Sequence, residues 1–129
     1  MAGALLTTRY ELLDYLRQAM AFDTVESLRA LFVNARRELI VEEEIARGSP
    51  AAVVVEPRQV LARALALAAS GVILVHNHPS GDASPSPADR RFTQRLATAG
   101  DCLGIRLHDH LIVARGGTQA IEITTLSHS

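Results

Sequence analysis

The chain contains no tryptophan, few other aromatic residues and a single cysteine, Cys102. One cysteine cannot form an intramolecular disulfide or a zinc site built from several thiolates, so any metal would be held by nitrogen and oxygen ligands. Long apolar runs are missing as well: no stretch approaches the ~18 residues of a membrane span, and the N-terminus lacks the basic and apolar regions of a signal peptide. We therefore expect a soluble, cytoplasmic protein.

An excess of charge of either sign is also missing. The 13 basic and 14 acidic residues leave a formal net charge of −1. Proteins that bind nucleic acid regardless of sequence carry a basic excess, which this composition does not show. With 129 residues, 48% of them hydrophobic, the chain can bury one core. We expect one domain over residues 1–129, without repeats or an interdomain linker.

Hydrophobic periodicity and turn residues predict an α/β fold, a mixed sheet flanked by helices. The predicted elements are a helix over 7–21 capped by Thr8, a β-hairpin over 28–46 that turns at 34–37, a short strand at 52–55, a helix from Pro57, a central strand over 72–75, a helix from Pro87 to about residue 100, short strands at 105–107 and 110–114, a turn at 116–117, and an edge strand over 120–124.

The segment VHNHPSGDASPSPADR, over 75–90, carries most of the chemical information. His76 and His78 alternate on an extended backbone and so point the same way, at the end of a strand where α/β sheets place their sites. A carboxylate from the following helix, such as Asp89, can complete a three-ligand metal site with an open fourth position. Either histidine alone would be a weak signal, because a single histidine after a strand is more often structural.

Ser86 and Asp89 also have a purely structural interpretation. Ser86, Pro87 and Asp89 have the order of a helix start, with Ser86 at the N-cap and Asp89 at the third helical position. Asp89 could therefore serve only as a capping carboxylate, worth about 0.3–1 kcal/mol through the helix dipole. A hydroxyl that caps a helix is not fully free to contact a substrate.

Glu43 lies in a strand where alternation gives it aliphatic neighbours. On the strand over 39–46, Glu43 shares a face with Leu39, Val41 and Ile45. A carboxylate on a core-facing side is costly unless it is paired or hydrogen-bonded, and a metal-bound water would supply a partner. Two alternatives stay open: this face is only half buried, or a β-bulge turns Glu42 or Glu44 inward.

The spacing His-x-His, seven residues, Ser, two residues, Asp, with an upstream glutamate, resembles the JAMM (MPN-type) metalloprotease motif. The string HNHPSGDASPSPAD is similar to that of the RadC family of JAMM-domain proteins. Further similar segments are LIVEEEIARG, in which Glu43 lies five residues before Gly48, VEPRQV, ALALAASGVILVHNHPSG and DHLIVARG. The resemblance covers about residues 8–117 and departs from the family after Gly117.

The resemblance implies a cytidine-deaminase-like fold and one zinc ion per chain, held by His76, His78 and Asp89. It also implies Glu43 as general base and Ser86 as a stabiliser of the oxyanion. The implied activity is hydrolysis of a peptide or isopeptide bond in a peptide or protein substrate. His110 is expected to be structural or to support a ligand from behind.

Two other classes of function stay open. The domain could be a non-catalytic interaction module associated with DNA repair, or a metal-dependent nuclease, as the His-Asn-His string at 76–78 weakly indicates. A zinc deaminase is disfavoured, because the Cys-x-x-Cys half of its ligand set is absent. Association with DNA follows from the family label only, since we expect no helix-hairpin-helix module in this chain. A homodimer is one alternative for the assembly.

Overall fold

The computed structural model describes residues 9–48 and 55–124. In these ranges the helices and strands are α1 (Arg9–Met20), β1 (Ser27–Val33), β2 (Leu39–Arg47), α2 (Pro57–Ala66), β3 (Gly71–Asn77), α3 (Pro87–Cys102), β4 (Arg106–Ala114) and β5 (Gly117–Ala120). The predicted mixed α/β architecture is confirmed. Among the described helices, none has the length and apolar character that spanning a bilayer requires.

The described strands form one sheet in the order β2-β1-β3-β4-β5. β3 pairs with β4 in parallel and with β1 antiparallel. At the two edges, β2 pairs antiparallel with β1, and β5 pairs antiparallel with β4. The central position of β3 explains its continuous apolar sequence, because both of its faces are covered. Its carboxyl end lies beside the beginning of β1, with His76 opposite Leu28.

The two faces of the sheet pack against different helices. On one face, α2 and α3 cover a cluster that includes Leu28, Ala30, Phe32, Val72 and Leu74 of the sheet and Val60, Leu61, Ala64, Phe92, Leu96 and Ala97 of the helices. On the other face, α1 contributes Leu16 and Met20 to a cluster with Leu31, Val75, Leu111 and Val113. Alternation along each strand therefore divides the core in two.

Two details of the predicted strands are wrong. The strands expected at 105–107 and 110–114 are one strand, β4, because His108 is accommodated as an extra residue between the pairs Val72–Leu107 and Ile73–Asp109. The edge strand expected over 120–124 ends at Ala120, because a turn at 115–116 starts the β4–β5 pairing already at Gly117. The predicted Thr8 cap, and all but Val55 of the strand predicted at 52–55, lie outside the described residues.

The core makes a direct prediction about stability. Leu74 is 0% exposed at the centre of the sheet, whereas Leu65 on α2 is 55% exposed. We expect Leu74→Ala to lower the free energy of unfolding by about 2–5 kcal/mol, since it leaves a cavity. Leu65→Ala is the matched control, with an expected change within about 0.5 kcal/mol. Urea denaturation of both variants measures the difference, and equal losses would contradict the described packing.

Candidate metal centre

The histidine pair extends from the carboxyl end of β3 into the loop that follows. His76 is the penultimate residue of the strand and is fully buried. His78 lies just beyond the strand, but its backbone N–H still donates to the Val113 carbonyl of β4 at 3.0 Å. The two rings therefore project from a backbone that remains held by the sheet, and their Nε2 atoms are 2.9 Å apart.

The start of α3 holds the carboxylate that faces them. The Ser86 hydroxyl oxygen accepts a hydrogen bond from the Asp89 N–H at 3.0 Å, and the Asp89 carboxylate accepts one from the Ser86 N–H at 2.8 Å. This is the reciprocal capping box that the sequence predicts. Asp89 is only 2% exposed. Its carboxylate thus serves the cap and faces the histidines at the same time, so the two interpretations of Asp89 are compatible.

Nitrogen and oxygen atoms of three residues lie close together at the end of β3. Asp89 Oδ1 lies 3.4 Å from His76 Nε2, and Asp89 Oδ2 lies 3.3 Å from His78 Nε2. Tetrahedral zinc with bonds of about 2.0–2.1 Å places neighbouring ligand atoms roughly 3.3 Å apart. The separations of 2.9, 3.4 and 3.3 Å are of this size, with one Asp89 oxygen near each histidine nitrogen, so His76, His78 and Asp89 could hold one ion between them.

A backbone carbonyl determines which nitrogen of His78 faces this point. His78 Nδ1 lies 2.9 Å from the carbonyl oxygen of Asp82. A carbonyl can only accept, so Nδ1 carries the hydrogen and the neutral ring presents the Nε2 lone pair to His76 and Asp89. The side chain of Asp82 instead accepts from the Ser84 N–H. Asp82 thus acts on His78 through its main chain.

The ionisation of these groups follows from burial and from their mutual contacts. Burial lowers the pKa of His76 to about 4, which keeps the ring neutral, the form that binds metals. Burial alone would raise the pKa of Asp89, but a hydrogen bond from His78 in its protonated form and one from the Ser86 N–H outweigh it and lower the pKa well below its usual range. The bond to Asp89 raises the pKa of His78. An anionic oxygen therefore faces two imidazole nitrogens.

A second carboxylate, Glu26, reaches the same point. Glu26 Oε2 lies 3.8 Å from His76 Nε2, and Glu26, His76 and His78 each offer a ligand atom within 4.8 Å of the others. These three residues form a group that could hold a metal ion. Burial raises the pKa of Glu26, so its carboxylate is more basic than usual. The sequence alone did not indicate Glu26, because a glutamate directly before β1 becomes a candidate only once β1 is placed antiparallel beside β3.

Glu43, which the resemblance implies as general base, is bound by an arginine in this structure. Its cross-strand partner is the buried Ala30, so the alternation argument puts it on the correct, core-facing side of β2. Both of its carboxylate oxygens, however, accept hydrogen bonds from Arg63 of α2, at 2.6 to 3.0 Å. Those bonds lower the pKa of Glu43. The expected partner for this inward carboxylate exists, but it is a guanidinium group at the sheet edge.

An open cleft adjoins the site. It is lined by residues 24–26, which precede β1, and by residues 78–80, which follow β3. Glu26 and His78 both line it, and Val25 and Pro79 add an apolar lining beside them. A chain that entered the cleft would therefore come beside the second carboxylate and His78.

The family assignment rests on a match to nearly the whole chain. The family model described as a RadC-like JAB domain matches residues 6–125. The chain belongs to this family. The resemblance to RadC proteins that the histidine motif indicated is therefore confirmed, and the five-stranded mixed sheet is consistent with a JAB/MPN fold.

Two relatives of this RadC-like domain are bacterial proteins named UPF0758. One, from Rhodobacter capsulatus, is 49% identical over 111 residues, which cover 86% of this chain and 52% of the relative. The other, from Ruegeria pomeroyi, is 48% identical over 104 residues, which cover 81% of this chain and 46% of the relative. The chain spans about half the length of these curated relatives.

Proposed function

We propose that this RadC-like JAB domain is a zinc-dependent metallopeptidase that hydrolyses a peptide or isopeptide bond. The observation that supports it best is the set of ligand-atom separations between His76, His78 and Asp89, with the second carboxylate of Glu26 close by. Three protein ligands with a neighbouring carboxylate are the usual composition of a hydrolytic zinc site, since the fourth position stays open.

His76, His78 and Asp89 would hold the metal, one per chain. When bound, zinc would polarise the scissile carbonyl and lower the pKa of a water molecule toward about 7. Asp89 contributes the negative charge of the ligand set, and its capping bonds with Ser86 keep the carboxylate in one orientation. The Asp82 carbonyl does the same for the ring of His78. The chain therefore holds its ligands rigidly before the metal arrives.

In this proposal the general base is Glu26, in place of Glu43. A base must lie within reach of the proton that it accepts, and the carboxylate of Glu26 lies 3.8 Å from His76 Nε2 whereas that of Glu43 is bound by Arg63. Burial raises the pKa of Glu26, which brings its basicity closer to neutral pH. Glu26 would take a proton from the attacking water and return it to the leaving amine.

Ser86 is the candidate for stabilising the oxyanion. Its Oγ accepts the Asp89 N–H as a helix cap, and an oxygen that accepts in this way keeps its own hydrogen as a donor. Capping and substrate contact are therefore compatible for this hydroxyl. A donor held rigidly where negative charge develops lowers the barrier without reorganisation.

A cleavage screen on metal-free and zinc-reconstituted protein tests the proposal. We expect mass spectrometry of a broad peptide library to show new termini that require zinc and disappear on chelation. Asp89→Asn should remove them, whereas Glu43→Gln should leave them. If no zinc-dependent cleavage occurs across the library, the interaction-module alternative is favoured. Zinc-dependent nicking of plasmid DNA, without peptide cleavage, would favour the nuclease.

A further inference from the structure

The side of His76 that faces away from the metal site is joined to a buried chain of polar groups. His76 Nδ1 lies 3.1 Å from His110 Nε2, His110 Nδ1 lies 2.7 Å from the Thr93 hydroxyl, and that hydroxyl lies 2.7 Å from the main-chain carbonyl oxygen of Asp89. His76, His110 and Thr93 are each 0% exposed. These contacts therefore link two of the proposed ligand residues, from the main chain of Asp89 to the ring of His76.

We propose that Thr93 and His110 are positioning residues that fix the tautomer of His76, so that its Nε2 always presents a lone pair to the metal. The inference rests on the metal site of the proposed function, but not on the bond that the domain cuts. The reason lies in the hydrogens available to three short contacts, His76 with His110, His110 with Thr93, and Thr93 with the Asp89 carbonyl.

The Asp89 carbonyl sets the direction of the chain. A carbonyl oxygen only accepts, so a 2.7 Å contact between it and the Thr93 oxygen requires the hydroxyl hydrogen to lie between them. A hydroxyl has one hydrogen to donate, so the Thr93 oxygen can only accept at its second contact. His110 Nδ1 must therefore carry the hydrogen that fills the 2.7 Å contact with Thr93.

The rest of the chain follows from His110. A neutral imidazole has one N–H and one lone pair, so a hydrogen on Nδ1 leaves His110 Nε2 as an acceptor. The contact of His110 with His76 Nδ1 then requires the hydrogen on His76 Nδ1, and the Nε2 lone pair of His76 points to Asp89 and His78. The opposite direction would leave the contact between Thr93 and Asp89 without a hydrogen and would place one on His76 Nε2, where it blocks a metal.

The two histidine ligands are thus oriented by different means. For His78, a carbonyl acts directly on Nδ1. For His76, the same kind of group acts through a hydroxyl and a second imidazole, because β4 places His110 between β3 and α3. Groups that orient ligands from behind commonly contribute about 10–100-fold to metal affinity. Thr93 would therefore affect a metal that it does not touch.

The test compares Thr93→Val, which removes the hydroxyl at nearly the same volume, with Thr93→Ser, which keeps it. We expect Thr93→Val to weaken zinc binding about 10–100-fold in competition with a chromophoric chelator, and Thr93→Ser to stay within about threefold. Thr98→Val, at an exposed threonine of the same helix, is the control for the substitution itself. Equal affinities of Thr93→Val and the wild type would overturn the proposal.

A second measurement does not depend on any variant. In metal-free wild-type protein in mildly alkaline buffer, long-range ¹H–¹⁵N NMR spectra should show His76 and His110 each protonated at Nδ1. Thr93→Val should shift both rings toward a mixture of tautomers. A wild-type His76 protonated at Nε2 would refute the proposed tautomer. The tautomers are measured without zinc or substrate. A wrong tautomer assignment can therefore be told apart from a failure of the metal site or of peptidase activity.

Discussion

Replacing Glu26 by glutamine should leave zinc bound and lower kcat by about 10²- to 10⁴-fold, the usual contribution of a general acid–base group. The glutamine retains the size and hydrogen-bonding capacity of the side chain but cannot take a proton. Because Glu26 Oε2 lies 3.8 Å from His76 Nε2, farther than either Asp89 oxygen lies from its neighbouring histidine nitrogen, the metal should survive the change. Steady-state kinetics on a peptide from the cleavage screen, with zinc content measured in parallel, provides the test.

Glu43→Gln is the matched control for this prediction. It makes the same chemical change, but at a carboxylate whose oxygens are held by Arg63. Partly exposed ion pairs contribute about 0–1 kcal/mol to stability, so the variant should fold and cleave nearly as well as the wild type. If Glu43→Gln lost activity while Glu26→Gln kept it, the base assigned from the sequence would be right and the one assigned from geometry would be wrong.

Asp89→Asn should abolish stoichiometric zinc binding. An asparagine can still accept the Ser86 N–H through its amide oxygen, so the helix cap survives, but the anionic oxygen between His76 and His78 is lost. We expect zinc affinity to fall by more than the ~100-fold that marks the upper range for groups outside the ligand set. Elemental analysis after dialysis, with calorimetry for the affinity, measures the loss.

The control for this change is Asp82→Asn in the preceding loop. Asp82 contributes a main-chain carbonyl to His78, and its side chain bonds only to the Ser84 N–H among the contacts described above. An asparagine keeps that acceptor, so zinc content should match the wild type. Equal zinc in Asp89→Asn and the wild type would contradict the ligand assignment. A loss of zinc in Asp82→Asn would show that the loop charge matters more than the geometry implies.

Much of the site could be predicted because its motifs each lie within a few residues of sequence. The capping box at Ser86 and Asp89 is complete within four residues, and the spacing of His76 and His78 places both rings on one side of an extended strand. The central strand was likewise evident, since continuous apolar sequence marks burial on both faces. In each case, the residues that interact are near neighbours in sequence.

The glutamate nearest the histidines could not be identified from such local signals. Glu26 directly precedes one strand of a hairpin and Glu43 lies in the other, and periodicity correctly placed Glu43 on the core-facing side. The choice depends on which strand of the hairpin lies next to β3, and the structure places β1 there. Glu26, directly before β1, therefore reaches the end of β3, while Glu43 lies in the edge strand, where Arg63 of α2 binds it.

The sequence by itself determined the family, the α/β class, the histidine pair and the capped helix that presents Asp89. Only the tertiary structure decided which glutamate faces the histidines, and that Thr93 and His110 lie behind His76. The physical reason is distance along the chain. Periodicity and capping act over a few residues, whereas strand order and the packing of α3 on β4 bring together groups separated by 17 to 50 residues.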